Sequence, residues 1–138
     1  MVGFRGYVSS RPFFGQRAPQ RVQNLVIRDY CMGNSLLYLL SAVEYIMHDC
    51  YAMLEKVLVE LPEIDGIIFY SMFQLPVEKV KRQRIYSNVL KEGRSLHFAL
   101  ETLKIETERD ISSIEDIWEV QQAVVYAPCL SDLAALLD

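Results

Sequence analysis

Short apolar or alternating runs take turns with helical stripes along this chain, and their order predicts the fold class. Residues 3–9 set Phe4 and Tyr7–Val8 among small side chains and stop at Ser9–Ser10–Arg11–Pro12. That is the pattern of a first strand delivering two hydroxyls into a loop. The loop holds Pro12, Gly15 and Pro19, and Pro19 suits the first turn of a helix, where its missing N–H would be unpaired anyway. Val22, Leu25, Val26 and Tyr30 then mostly follow the helical period, and Gly33–Asn34 supplies a stop, predicting a helix over 20–32. Residues 36–44 are apolar enough for a second strand buried on both faces. Tyr51, Leu54, Val57, Leu58 and Leu61 share one face of a helix over 49–61, with Asp49 as its N-cap and Pro62 as its end. Residues 64–71 (IDGIIFYS) read as the clearest strand of the chain. Val77, Val80, Ile85 and Val89 mark the inner face of a basic helix over 77–91, Gly93 closes it, and 95–101 read as a fourth strand.

The order βαβ-αβ-αβ predicts a three-layer α/β sandwich, with a central, mainly parallel sheet of about four strands and helices on both faces. Beyond Glu101 the chain turns acidic. Ser112-x-x-Glu115 has the form of a capping box opening a helix that runs through Ala123 and is anchored by Trp118, the only tryptophan. Pro128 breaks that helix, and SDLAALL reads as a short terminal one. At 138 residues the chain is sized for a single domain over 1–138, with an α/β core over 1–101 and a helical extension over 102–138.

Charge sharpens this picture. The net charge of −4 and a pI near 5.2 argue against a general nucleic-acid binder. The average conceals an asymmetry: residues 1–28 hold Arg5, Arg11, Arg17, Arg21 and Arg28 and no acid, hence +5, while the remainder carries −9. No window approaches the roughly 18 apolar residues of a membrane span, and no secretory apolar region follows the first residues. Cys31, Cys50 and Cys129 are odd in number and lack a C-x-x-C spacing, as expected of thiols in a reducing compartment. The expected setting is therefore cytoplasmic, without membrane insertion. His48 and Cys50 would diverge on a helix, so neither a metal site nor a cofactor is expected.

Ligands of open parallel sheets bind at the carboxyl ends of the strands. Ser9, Ser10 and Arg11 follow the first strand, Glu44 the second, and Tyr70, Ser71 and Gln74 the third. Arg11, Arg17 and Arg21 flank a helix start at Gln20, where guanidinium forks, free N–H groups and the helix dipole together favour a phosphate or carboxylate. The alternative is that these arginines are solvated and pair with the acidic body. Ser9 or Ser10 could act as a nucleophile with Glu44 as its base, Asp65 being a further candidate base, or could simply hydrogen-bond a ligand. The basic run over 78–84 reads as a solvated face, or as the partner of the acidic segment 106–119, before it reads as a nucleic-acid surface.

A strand ending in serine, a helix closing on R-x-Y-C, the block IDGIIFYSMFQLP and the run Gly93-x-x-Leu96-x-Phe98-x-x-Glu101 resemble, over residues 4–101, the catalytic domain of serine recombinases. The resemblance implies that fold for the core and sets Ser9 at the nucleophile position. The departures are chemical. Tyr7 stands where those enzymes carry an arginine, and Phe73, Gln74, Leu75 and Val77 stand where they carry Asp-Arg-Leu-x-Arg. The absent guanidiniums are the groups that stabilise a transferring phosphoryl group, so DNA strand exchange is disfavoured.

RGYVSSRPFFGQRAPQRVQNLVIRDYC, followed by LLSAVEY and IDGIIFYSMFQLP, is similar over the whole length to the sporadic carbohydrate cluster proteins. That small bacterial family is encoded among lipopolysaccharide and other surface-polysaccharide biosynthesis genes. The resemblance implies a pathway and leaves the reaction open. The expected ligand is an anionic sugar derivative, a sugar phosphate or nucleotide sugar. Arg11, Arg17 and Arg21 would clamp its phosphate, and Ser9, Ser10, Gln20, Tyr70, Ser71 and Gln74 would hydrogen-bond it. The alternative is a catalytically inactive recombinase-like scaffold, or regulatory subunit of a pathway enzyme, assembled as a homo-oligomer.

Overall fold

The computed structural model describes residues 2–10, 12, 17–44 and 51–126. Its elements run β1 (Phe4–Ser9), α1 (Gln20–Gly33), β2 (Tyr38–Glu44), α2 (Ala52–Val59), β3 (Gly66–Phe69), α3 (Lys79–Lys91), β4 (Ser95–Phe98), β5 (Leu103–Ile105) and α4 (Glu108–Tyr126). The Asp49 cap, the Pro128 break and the terminal helix expected from the sequence lie outside the described residues.

The fold is α/β, around a five-stranded sheet in the order β2-β1-β3-β4-β5. β1 pairs in parallel with β2 and β3, and β3 with β4, whereas β4 and β5 are antiparallel. The mixed fifth strand corrects the expectation of four strands followed by a purely helical extension. Thr102 takes φ +54, which reverses the chain tightly enough for Leu103 to lie beside Phe98. Three residues are too few to show a periodicity, so only the partner strand reveals β5.

α1 covers one face of the sheet; α2, α3 and α4 cover the other. On the first face Ile27, Tyr30 and Cys31 pack on Phe4, Val8, Ile68 and Tyr70. On the second, Leu54, Val57, Ile85, Tyr86, Val89, Ile114 and Trp118 pack with Tyr7, Ile67, Phe69, Leu96 and Phe98. β3 is buried throughout, as its unbroken apolar run requires of a central parallel strand. A Cβ at Gly66 would collide with the Ser95 carbonyl oxygen and meet the Phe4 ring, so glycine is what lets β3 sit between β1 and β4.

Three predicted faces turn out differently. β2 is an edge strand in which only Ala42 and Glu44 are buried: Leu39 and Ala42 pack towards α2, and Tyr38 and Val43 towards α1, but the open edge leaves most of these side chains half-covered. α1 buries Gln23, Ile27, Tyr30 and Cys31, leaving Val22 and Leu25 exposed. α3 buries Arg82, Ile85, Tyr86 and Val89, with Val77 and Val80 in solvent. In both helices a polar side chain with fixed partners takes the inner position and rotates valines outward. Arg82 donates twice to the Glu115 carboxylate, at 2.9 Å from both Nε and Nη2, and lies 4.2 Å over the Trp118 ring. Tyr86 adds a third donor to Glu115, at 2.7 Å. The contact expected between the basic helix and the acidic segment is thus a buried ion pair. Glu115 consequently does not cap α4, which begins at Glu108. The capping acid is Asp110, whose carboxylate accepts from the N–H groups of Glu106 and Thr107 and from the Thr107 hydroxyl. Those donors hold its carboxyl below the ordinary range, against the opposing effect of burial.

Candidate functional site at the carboxyl end of the sheet

β1 and β3 are neighbours, yet their onward connections diverge: β1 leads to α1 on one face and β3 to α3 on the other. In doubly wound folds such a reversal marks a crevice at the carboxyl ends of the two strands, where ligands bind. In this chain buried polar groups are linked in a row at that position. One turn into α1, Gln23 reaches back to the end of β1. Its Oε1 accepts from the Ser9 N–H at 3.0 Å, and its Nε2 donates to the Ser9 carbonyl at 2.7 Å and to Ala18 O at 2.8 Å. Gln74 Nε2 donates to the same Gln23 Oε1 at 2.8 Å, and Gln74 Oε1 accepts from the Ser71 N–H at 3.3 Å. The Ser71 hydroxyl donates to Glu101 Oε2 at 2.7 Å and accepts from the Phe73 N–H, while Met72 N–H donates to Glu101 Oε1 at 2.8 Å. Ser9, Gln23, Gln74, Ser71 and Glu101 therefore tie the ends of β1, β3 and β4 to α1. Burial raises the Glu101 carboxyl, and the Ser71 and Met72 donors oppose it. Burial, and then the Glu101 charge, also raise the Tyr70 phenol, which stays a neutral hydroxyl.

Glu44 ends β2 with a different task. Its carboxylate accepts from the Tyr7 hydroxyl at 3.1 Å and from the N–H groups of Met53 and Leu54 at 3.2 and 3.4 Å, an anion seated at the first turn of α2. The Ser10 N–H and hydroxyl both donate to the Glu44 main-chain oxygen, at 3.1 and 3.2 Å. Ser10 thus meets the backbone of Glu44 while three donors already surround its carboxylate.

Of the residues expected from the sequence, Ser9, Tyr70, Ser71 and Gln74 are buried together at the crevice, with Ser10 half-buried at its edge. Gln20 is half-buried as the first residue of α1. Arg17 and Arg21 are exposed, and Arg21 borders a depression on the outer side of α1 with Asn24, Leu25 and Arg28. Arg11 lies outside the described residues. Sequence reasoning passed over Gln23 and Glu101. Gln23 shares the Ile27–Tyr30 stripe and becomes visible once a polar residue is admitted to an inner face. Glu101 closes the 95–101 run, but its partners come from a different loop. Among the described residues no three His, Cys, Asp or Glu side chains converge to hold a metal ion, and no helix is long and apolar enough to cross a membrane.

Neither protein-family models, curated proteins nor solved structures match this chain.

Proposed function

We propose that this chain is a cytoplasmic protein of bacterial surface-polysaccharide biosynthesis that binds an anionic sugar derivative, a sugar phosphate or nucleotide sugar, in the crevice at the ends of β1 and β3. The observation that carries the reading is the divergence of the β1 and β3 connections above a polar floor, next to the chain segment bearing Arg11 and Arg17. Hydroxyls and amides at the floor suit a sugar, and guanidiniums from the segment suit its phosphate. The core is of the serine-recombinase type in this reading. Its chemistry is not: Tyr7 is engaged by Glu44 and Gln74 by Gln23, at positions where a recombinase places charge.

Calorimetric titration with a panel of sugar phosphates and nucleotide sugars tests this. Binding is expected, weakened about tenfold by Arg17→Ala and further by Arg11→Ala, as befits lost charge-assisted hydrogen bonds. Absence of binding at millimolar ligand, or affinity indifferent to both substitutions, refutes it.

A second reading, an inactive scaffold or regulatory subunit, draws on the degree to which Gln23, Gln74, Ser71 and Glu101 satisfy one another. It predicts a homo-oligomer by light scattering and crevice substitutions without effect on polysaccharide output; a monodisperse monomer with no partner overturns it.

A further inference from the structure

The outer side of α1 has no role in the crevice. Arg21, Leu25, Arg28 and Met32 follow one another at spacings of four, three and four residues, which sets them in one stripe directly opposite the buried Gln23–Ile27–Tyr30 face. Leu25 is 56% and Met32 83% exposed, so the two apolar side chains form the crest of the helix, with an arginine before each. Arg21 and Arg28 wall a shallow depression of about 410 Å³ with Asn24 and Leu25 between them. Neither guanidinium forms an ion pair among the described residues; Arg28 instead lies 5.3 Å over the Tyr38 ring. Asp29, to one side of the stripe, is the only acid in the helix.

We infer that this face of α1 docks reversibly on an anionic phospholipid bilayer, with Leu25 and Met32 entering the interface and Arg21 and Arg28 meeting lipid phosphates. Charge complementarity favours that occupant. Arg17, Arg21 and Arg28 are exposed on α1 or just before it, against Asp29 as the helix's only acid, so this face is positive on a chain whose net charge is −4, and an anionic surface is drawn to it. Shape favours it too. The depression on this convex helix is shallow and walled by two guanidiniums, which suits a phosphate headgroup better than a protein's apolar anchoring side chain. A headgroup layer accepts the apolar tips of Leu25 and Met32, while the arginine stems extend along it to keep their charge at the phosphates. Two apolar side chains and a few arginines give weak, salt-sensitive attachment and no insertion.

Co-sedimentation of the full chain with phosphatidylcholine vesicles, with and without phosphatidylglycerol, decides the matter. Association is expected only with phosphatidylglycerol and is abolished by about 0.5 M sodium chloride. Arg28→Ala should weaken it roughly fivefold, the equivalent of about 1 kcal/mol for one arginine at an anionic surface. Leu25→Ser with Met32→Ser should weaken it further without changing its salt dependence. All three positions are exposed, and circular dichroism melts should match the parent. None of them belongs to the crevice, so sugar-phosphate titrations in free solution should be unaffected, and either proposal can fail alone. No association with phosphatidylglycerol vesicles at low salt overturns the inference, as does equal association by the variants. Capture by a soluble polyanion such as heparin, with vesicles ignored, overturns it as well.

Discussion

His97 shows how much one buried side chain determines. On β4 and facing α1, its Nδ1 lies 2.7 Å from the Tyr30 hydroxyl and its Nε2 2.9 Å from the Ser95 hydroxyl, with the Phe4 ring edge-on at 5.1 Å. A neutral imidazole satisfies such an arrangement with one donor and one acceptor. Burial pushes its pKa down to about 4 from 6.5. The unfolded chain therefore takes up the proton first as pH falls. The resulting contribution to stability is complete above pH 6.5 and is lost progressively towards pH 4, to a total of about 3 kcal/mol. Urea unfolding at pH 7 and pH 4.5 should show a larger drop for the parent than for His97→Gln, and equal drops would contradict this assignment. Nothing in the sequence distinguished His97 beyond its place in the run SLHFALE; the three side chains that define it come from two other elements and its own strand.

Between elements, the decisive contact is that of α3 with α4. Glu115 is buried, and although burial works to raise its carboxyl, the Arg82 guanidinium and the Tyr86 hydroxyl hold it below the ordinary range. Arg82 also donates to the carbonyls of Pro76 and Val77, so the same side chain stitches the start of α3 to α4. Glu115→Ala would strand that guanidinium in the interior and should cost about 3–5 kcal/mol in chemical denaturation. Val80→Ala, in solvent on the same helix, should stay within about 0.5 kcal/mol. A small effect at Glu115 would mean that α4 is not seated as described. The existence and order of α1, α2, α3 and β3 were legible from stripes, runs and punctuation such as Gly93, whose φ of +69 closes the α3 turn. The inward face of α2, with Leu54, Val57 and Leu58, was legible as well; those of α1 and α3 were not, because hydrophobicity ranks valine above glutamine and arginine. Gln23 and Arg82 reverse that ranking only through partners distant in the chain.

In the molecule as a whole, Trp118 reports on assembly. It belongs to the last described helix yet packs in one core with β1, β3, β4 and α3, its ring edge-on to Phe73 at 5.3 Å. Tryptophan fluorescence and far-UV circular dichroism should therefore follow a single coincident urea transition. An earlier fluorescence change would show α4 leaving the sheet separately. The sequence by itself determined the α/β class, the mostly parallel succession of strands, the carboxyl-end positions of Ser9, Glu44 and Ser71, and the segregation of positive charge at the start. These follow from periodicity, turn chemistry and composition, all local properties. Only the tertiary structure decided that β5 exists, that β2 is an edge, and that Arg21 turns outward while Gln74 turns in. It also joined Ser71 to Glu101. Each depends on which distant group supplies a hydrogen bond, a counter-charge or a covering face, and the spacing of residues along a chain does not carry that information.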